Sequence, residues 1–166
     1  MNAGSNQEDV CPAADRELAV SRIVHAPAAL AFNAWIEPTQ LEQWWGPPDY
    51  ETQVHEMTVE PNGKARLVMR DPDGFEYPTT LVYADIEAAR SLSYMQSDDT
   101  DPDSDAATFG VAVRFEEEGL ALTRVSMCML FKTAAVRDRA ASECDAGAGA
   151  NETLRRLDQF LQEFLP

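Results

Sequence analysis

Basic residues are scarce in this sequence. Lysine and arginine together number 13 against 29 aspartates and glutamates, so the chain carries a net charge of −16. Lysine occurs only at Lys64 and Lys132. A surface with so much negative charge repels phosphate backbones and anionic lipids. We therefore expect neither nucleic acid nor a membrane surface as a partner.

The acidity itself has two explanations that one sequence does not separate. An acidic surface keeps a protein soluble in an ordinary cytoplasm. In a cytoplasm rich in salt, the self-repulsion of such a chain is screened and lysine is disfavoured. The low lysine content favours the second explanation slightly.

Long apolar runs and cysteine motifs are also missing. No run of about 18 apolar residues occurs, so no membrane span is predicted. Residues 1–18 have neither a basic start nor an apolar centre, which argues against a secretory signal. Cys11, Cys128 and Cys144 have no CxxC spacing, which argues against a disulfide scaffold and a zinc site. We expect a cytoplasmic protein without metal or fixed cofactor, with a flexible tail over residues 1–15.

Alternation of apolar and polar residues predicts strands through most of the chain. The pattern is clearest over residues 108–116, where every second side chain is Phe or Val. Turn residues at Pro61–Gly63 and Asp71–Gly74 separate neighbouring strands. The other strands are expected over residues 16–25, 50–60, 65–70, 75–86, 91–96 and 120–131.

Helices are predicted near the start and at the end of the chain. Pro27 and Pro38 each fit the first turn of a short helix. Near the C-terminus, Asn151 can cap a long helix with an apolar stripe. Residues 134–141 are expected to form a first segment of that same helix. The apolar stripe of the long helix consists of Leu154, Leu157, Leu161 and Phe164.

The stretch HAPAALAFNAWIEPTQLEQWWGP, residues 25–47, holds all three tryptophans. Its APxxxxFxAW pattern followed by WWGP resembles the opening signature of the bacterial relatives of the heat-shock chaperone ATPase activator. These belong to the START-like, birch-pollen-allergen-like (SRPBCC) superfamily. The resemblance extends over residues 16–165. Weaker matches follow at Glu60-Pro61-Asn62-Gly63, Asp73-Gly74, Thr123-Arg124 and the closing ETLRRLDQFL.

The resemblance implies an α+β helix-grip fold over residues 16–166. In such a fold a curved antiparallel sheet wraps around a long C-terminal helix, two short helices lie between strands 1 and 2, and a cavity separates sheet and helix. The family pattern usually has a second glycine where this chain has Asn62. It also usually has a Gly-Trp pair where Gly149-Ala150 stands here, so a missing ring would enlarge or reshape the cavity.

Large side chains on the predicted inner face are candidates for a ligand site. Methionine suits adaptable apolar sites, but ordinary core packing explains the same residues equally well. Trp45 is expected at the mouth of the cavity, while Trp44 is expected to anchor the core. His55 alternates with Met57 and is therefore expected to face inward. The full set of candidate ligand-binding residues is Trp45, His55, Met57, Met69, Tyr83, Met127 and Met129.

Residues for catalysis are few. The sequence lacks the nucleophile-elbow, P-loop, Rossmann and HExxH motifs. His25 is expected to be an exposed strand-end histidine, and Cys128 faces away from the predicted cavity. In an enzyme of the polyketide-cyclase type, His55, Tyr83 or Glu76 would handle protons.

Three functions follow from these observations. We rank first the binding of a hydrophobic or amphipathic small molecule in an internal cavity. A polyketide cyclase/aromatase-like enzyme acting on a hydrophobic substrate comes second, and a chaperone-linked role like that of the eukaryotic activator comes third. The identity of the ligand lies outside what the residues determine, and so does the oligomeric state, with a homodimer among the options.

Overall fold

The computed structural model describes residues 14–100, 103–104, 107–143 and 146–164. A short 3₁₀ turn at Ala14–Arg16 leads into the first strand. The elements then follow in the order β1 Glu17–Val24, α1 Ala28–Ile36, α2 Pro38–Trp44, β2 Glu51–Met57, β3 Lys64–Arg70, β4 Glu76–Glu87, β5 Ser91–Asp98, β6 Thr108–Gly119, β7 Leu122–Leu130, α3 Ala134–Glu143 and α4 Ala146–Phe164. Residues 1–13 lie outside the description, so the domain boundary at residue 16 stays a prediction.

The seven strands form one antiparallel sheet in the order β1-β7-β6-β5-β4-β3-β2. The sheet does not close, because β1 and β2 are its two edges. Helices α1 and α2 carry the chain from one edge to the other, and α4 packs against β1, α1 and α2. This arrangement is the α+β helix-grip fold, as the sequence predicted.

Two prolines determine where the early helices begin. Pro27 is the residue before the first turn of α1, and its carbonyl accepts hydrogen bonds from the backbone N–H groups of Leu30 and Ala31. Pro38 is the first residue of α2, where its missing N–H costs nothing. Glu37 lies in extended conformation between them, so it ends one helix and begins the next.

The three tryptophans pack against one another beneath these helices. The ring of Trp35 meets that of Trp44 edge to face at 4.8 Å and that of Trp45 at 5.7 Å. Trp44 donates its indole N–H to the carbonyl of Ala34 at 3.1 Å. Each aromatic pair contributes about 0.5–1.5 kcal/mol beyond the burial of its area. This cluster closes one end of the space between sheet and helix.

The turn between β2 and β3 explains a departure from the family pattern. Asn62 has a φ of 70°, in the left-handed region that glycine favours and asparagine tolerates. At Gly63, a Cβ atom would lie 2.2 Å from the carbonyl oxygen of Thr58, which leaves no room for a side chain. The turn pairs with β4 through a hydrogen bond of 2.8 Å from the Asn62 N–H to the Tyr83 carbonyl. Asparagine can therefore replace the first glycine of the pair, whereas the second must stay.

The C-terminal region differs from the prediction at Asn151. Helices α3 and α4 are described over Ala134–Glu143 and Ala146–Phe164, and residues 144–145 between them lie outside the described residues, so the prediction that both belong to one helix stays a prediction. Asn151 lies inside α4, five residues after Ala146, and does not cap the helix. Two glycines weaken this first turn by about 1 kcal/mol each relative to alanine, but tertiary packing of Ala150 offsets such a cost. The predicted stripe of Leu154, Leu157 and Leu161 is buried in the core.

Cys128 is disulfide-bonded, and its partner lies outside the described residues. The cysteine spacing argued against a disulfide scaffold, and it gave no sign of the single disulfide at Cys128. Spacing tests only for motifs that are local in sequence, whereas a disulfide joins residues that the fold brings together. Cys11 and Cys144 both fall outside the described residues.

Candidate functional site

Two adjoining recesses lie between the inner face of the sheet and the first half of α4. The Trp45 recess, lined by Trp45, Pro47, Met127 and Ala150 among others, has a volume of about 240 Å³. The Tyr77 recess, lined by Tyr50, Tyr77, Thr79 and Asp98 among others, has a volume of about 290 Å³. Their common wall consists of Met69, Gln96, Phe109, Met129 and Ala146.

The Trp45 recess is closed by the WWGP loop. Gly46 has a φ of 97°, and a Cβ atom there would lie 3.0 Å from the sulfur of Met69. Thr52 of β2 donates its hydroxyl to the Trp45 carbonyl at 2.8 Å. Glycine at residue 46 thus lets the loop turn sharply and approach the methionine that separates the two recesses.

Arg156 of α4 fastens the same loop from the other side. Its guanidinium donates to the carbonyl oxygens of Gly46 at 2.7 Å and Pro47 at 3.0 Å. These carbonyls follow the C-terminal end of α2, where a cation interacts favourably with the helix dipole. Burial lowers the pKa of Arg156 from its ordinary value, and Glu152 opposes that change. The mouth of the recess is therefore held by contacts from both β2 and α4.

The Tyr77 recess ends in a rim of three aromatic rings. The Tyr77 ring lies 5.7 Å from that of Tyr50 and 5.9 Å from that of Phe75, which is 65% exposed. Tyr77 donates its hydroxyl to Asp71 at 3.1 Å, and this hydrogen bond raises the pKa of Tyr77 to about 12. The other oxygen of Asp71 accepts the N–H groups of Asp73 and Phe75. One carboxylate thus holds both the β3–β4 turn and the rim in place.

Polar groups in the two recesses are few. Gln96 is part of the common wall, and its amide offers both a donor and acceptors to a bound molecule. Thr79 and Asp98 line the Tyr77 recess, while Glu152 and Thr153 line the Trp45 recess. A mostly apolar pocket with a few polar groups is typical of small-molecule sites.

Four of the predicted site residues line this space: Trp45, Met69, Met127 and Met129. Met57 is half-buried and packs against the hydrophobic core, away from both recesses. Tyr83 is buried within that core. Sequence analysis did not select Gln96, Phe109, Tyr50 or Tyr77. Alternation with Leu92 along β5 was the signal that could have identified Gln96.

His55 does not face inward, because a β-bulge interrupts β2 at this residue. Val54 pairs with Leu67 and Glu56 pairs with Arg66, so one residue of β2 has no partner in β3. The alternation that placed His55 with Met57 breaks there. His55 is exposed and lies away from both recesses.

The residues suggested for proton transfer lie apart from one another. Glu76 is exposed and forms an ion pair of 2.6 Å with Arg70. Burial raises the pKa of Tyr83 to about 12, and its hydroxyl has no hydrogen-bond partner among the described residues. The hydroxyl of Tyr94, whose ring lies 6.2 Å from that of Tyr83, also has no described partner, and burial raises the pKa of Tyr94 well above its ordinary value. The fold does not bring His55, Tyr83 and Glu76 together around either recess.

The second histidine takes part in a tether between β1 and α4. Asp158 of α4 is only 5% exposed and accepts the backbone N–H of His25 at 2.9 Å. The ring nitrogen Nδ1 of His25 lies 3.0 Å from the same carboxylate oxygen. Although burial opposes ionisation, the hydrogen bonds from His25 outweigh it and lower the pKa of Asp158. His25 is exposed, as expected, and also fastens the helix to the sheet.

A wider concavity lies on the opposite face of the sheet, with a volume of about 480 Å³. Its lining combines exposed acids such as Glu87 and Glu116 with Arg90 and Arg114. Arg90 and Glu87 lie 3.8 Å apart. This groove is a solvated charged surface, so the inner recesses are the stronger candidate site.

Within the described residues, no three His, Cys, Asp or Glu side chains are grouped as a metal site would need. No helix in the same part of the chain has the length and apolar character to cross a membrane.

The family model described as activator of Hsp90 ATPase homolog 1-like protein matches residues 25–162. The chain belongs to this family. This match agrees with the resemblance of residues 25–47 noted above. No curated protein matches the chain.

Solved structures of bacterial proteins share the fold of this family member. A protein from Arthrobacter aurescens superimposes with a TM-score of 0.82 at 24% identity, over 90% of this chain and 88% of that one. A protein from Mycobacterium smegmatis superimposes with a TM-score of 0.76 at 22% identity, over 89% of this chain and 91% of that one. A protein from Nitrosomonas europaea superimposes with a TM-score of 0.77 at 19% identity, over 90% of this chain and 96% of that one. These similarities concern the fold alone.

Proposed function

We propose that this protein binds a hydrophobic or amphipathic small molecule between its sheet and α4. The observation that carries the proposal is the pair of adjoining recesses with a common wall. The volume of each recess alone is just below the range of about 300–1,000 Å³ that is typical of ligand sites, whereas the combined volume of the two recesses lies within that range. A molecule that spans both would displace water from methionine and aromatic surface, which is the main source of apolar binding free energy.

The geometry of the loop at residues 45–48 supports the same proposal. Contacts from Thr52 and Arg156 hold the loop, so the wall that it forms exists before a ligand arrives. A preformed wall reduces the ordering cost of binding. The proposed ligand lies with its apolar body against Trp45 and Met127 and with polar atoms toward Gln96.

The first experiment is native mass spectrometry of the purified protein, followed by identification of any co-purifying molecule. Titration with the fluorescent probe N-phenyl-1-naphthylamine follows. We expect saturable binding with a stoichiometry of one. A protein that purifies empty and does not bind the probe would contradict the proposal.

A substitution locates the binding. Met127→Trp places a large ring in the Trp45 recess and should abolish probe binding while the circular dichroism spectrum stays native. The matched control is Met95→Trp, because Met95 lies on β5 of the same sheet but is 45% exposed on the outer face. Binding that survives Met127→Trp, or that is lost in both variants, would contradict the assignment to this recess.

The remaining expectations stay predictions. Disulfides are rare in reducing compartments, so the disulfide at Cys128 weighs against a cytoplasmic location. Alkylation of thiols in acid-quenched cells, followed by mass spectrometry, tests that location directly.

The chaperone-linked function and the homodimer also stay predictions. Binding of the purified chain to a chaperone ATPase tests the third-ranked function, and sedimentation tests the homodimer.

A further inference from the structure

The described walls of the two recesses carry no positive charge. Among the described residues that line them, none is lysine, arginine or histidine. Two carboxylates are present, Glu152 in the Trp45 recess and Asp98 in the Tyr77 recess. A ligand that enters this space therefore meets negative charge at both ends and no cation that could pair with an anion.

Two arginines beside the Trp45 recess are already engaged. Arg156 donates to three backbone carbonyls around the end of α2, among them those of Gly46 and Pro47. Arg155 pairs with Glu152 through its Nε and Nη2 atoms. Turning either arginine toward a bound anion would break several hydrogen bonds at once.

Asp98 differs from Glu152 in its surroundings. It accepts the backbone N–H of Thr100 at 2.9 Å, and within the described chain no cation pairs with it. Glu152, by contrast, is partly neutralised by Arg155, and that hydrogen bond lowers the pKa of Glu152. Asp98 is therefore the carboxylate whose field acts most directly on a ligand in the Tyr77 recess.

An anionic head group would be unfavourable in this space on two counts. A buried charge without a partner loses its hydration and gains no compensating hydrogen bonds. The net charge of −16 adds repulsion that extends beyond the recess. A neutral head group avoids both costs, and an ammonium group is attracted by Asp98 and by the faces of Tyr50 and Tyr77.

We infer that the recesses admit neutral and cationic amphiphiles and exclude anions, so that the natural ligand has no carboxylate, sulfate or phosphate head. The inference rests on the proposed function and specifies its ligand class. The apolar body of the ligand lies against Trp45 and Met127, and its neutral or cationic head lies between Gln96 and Asp98.

Two sets of probes, a pair of dyes and three decyl amphiphiles, test this charge selection. N-phenyl-1-naphthylamine and 8-anilinonaphthalene-1-sulfonate share one ring skeleton and differ by a sulfonate. We expect the sulfonate to bind about tenfold more weakly, or worse. Decanol and decyltrimethylammonium should displace the neutral probe, and decanoate at equal concentration should not. Equal displacement by decanoate would overturn the inference alone, whereas no binding of the neutral probe would overturn the proposed function.

Variants test whether the discrimination against anionic ligands comes from residues of the recess or from the charge of the protein surface. Asp98→Asn should strengthen decanoate binding and weaken that of decyltrimethylammonium, because the amide carbonyl can still accept the Thr100 N–H. The matched control is Glu116→Gln, which removes one negative charge from the opposite face. Gln96→Lys should admit decanoate, while Gln96→Met should not.

Salt provides the deciding measurement. In about 1 M salt the screening length falls to about 3 Å, so repulsion by the distant surface charge disappears. We expect the preference for neutral over anionic probes to persist under these conditions. Its complete loss, or equal effects of Asp98→Asn and Glu116→Gln, would assign the selection to the surface and overturn the inference.

Discussion

The two halves of α4 face the same sheet but leave different amounts of space. Its first half, Ala146–Thr153, presents mostly small residues to the recesses, with Glu152 as the one long side chain. Its second half presents Leu154, Leu157 and Leu161, which fill the space against the core. Both halves lie on one amphipathic helix, so the difference comes from side-chain volume and not from the direction in which the residues point. Volume decides whether an inward position becomes core or part of a pocket.

The largest expected effect is in the filled half. Leu157 is fully buried, so Leu157→Ala should lower the free energy of unfolding by about 2–5 kcal/mol, through lost burial and a new cavity. Urea denaturation measures this. Leu120→Ala is the control, since Leu120 is 98% exposed and its loss should change stability by less than about 0.5 kcal/mol. A small effect at Leu157 would mean that this half is also loosely packed.

The next effect concerns how the filled half is fastened to β1. Asp158→Ala leaves the backbone N–H of His25 without its partner and should cost about 1–3 kcal/mol. The pKa of Asp158 is lowered on folding, so its contribution is fully present above about pH 4, its unfolded pKa. The contribution is lost as the pH falls through the folded pKa. Wild type and variant should therefore converge in stability in acid, and a difference that grows below pH 4 would contradict this account.

A substitution in the open half should change binding more than stability. Ala150→Trp restores the ring that the family pattern usually has there and would occupy the Trp45 recess. Probe affinity should fall at least about tenfold while the free energy of unfolding shifts by no more than about 1–3 kcal/mol. Fluorescence titration and urea denaturation on the same samples check both. Unchanged affinity would show that the open half is not where the probe binds.

The smallest effect is expected at the two buried tyrosines. The hydroxyls of Tyr83 and Tyr94 have no hydrogen-bond partner in the described part of the chain, so replacing either residue by Phe removes an unfavourable buried polar group. We expect stability to be unchanged or higher by up to about 1 kcal/mol. Tyr77→Phe is the contrasting control, because it removes a hydrogen bond to Asp71. A marked loss of stability in Tyr83→Phe would indicate that a bound molecule or water satisfies the hydroxyl.

Alternation along the strands predicted the inward residues well wherever the ladder is regular. Met127 and Met129 lie on the inner face because β7 pairs with β1 and β6 residue for residue across them. The same logic failed at His55, since a bulge adds one residue to β2 and shifts the alternation. Nothing in the residues around His55 distinguishes a bulged strand from a regular one.

The start of α4 was missed for a related reason. Asn151 has the composition of a helix cap, and Gly147 and Gly149 discourage a helix before it. Yet the chain is already helical at Ala146, and Ala146, Gly149 and Ala150 of this helix line the Trp45 recess. Local propensity is a weak guide when packing against distant strands decides the outcome.

The sequence by itself determined the family, the helix-grip fold and the methionines of the inner face. These follow from a specific motif at residues 25–47 and from periodicities that persist over many residues. Only the tertiary structure decided which inward residues border open space, which polar groups reach it, and that no described basic residue does. Those properties depend on how side chains from distant parts of the sequence pack against one another. Alternation along a strand shows which face of the sheet a side chain is on, but it does not show how close that side chain comes to the opposing helix.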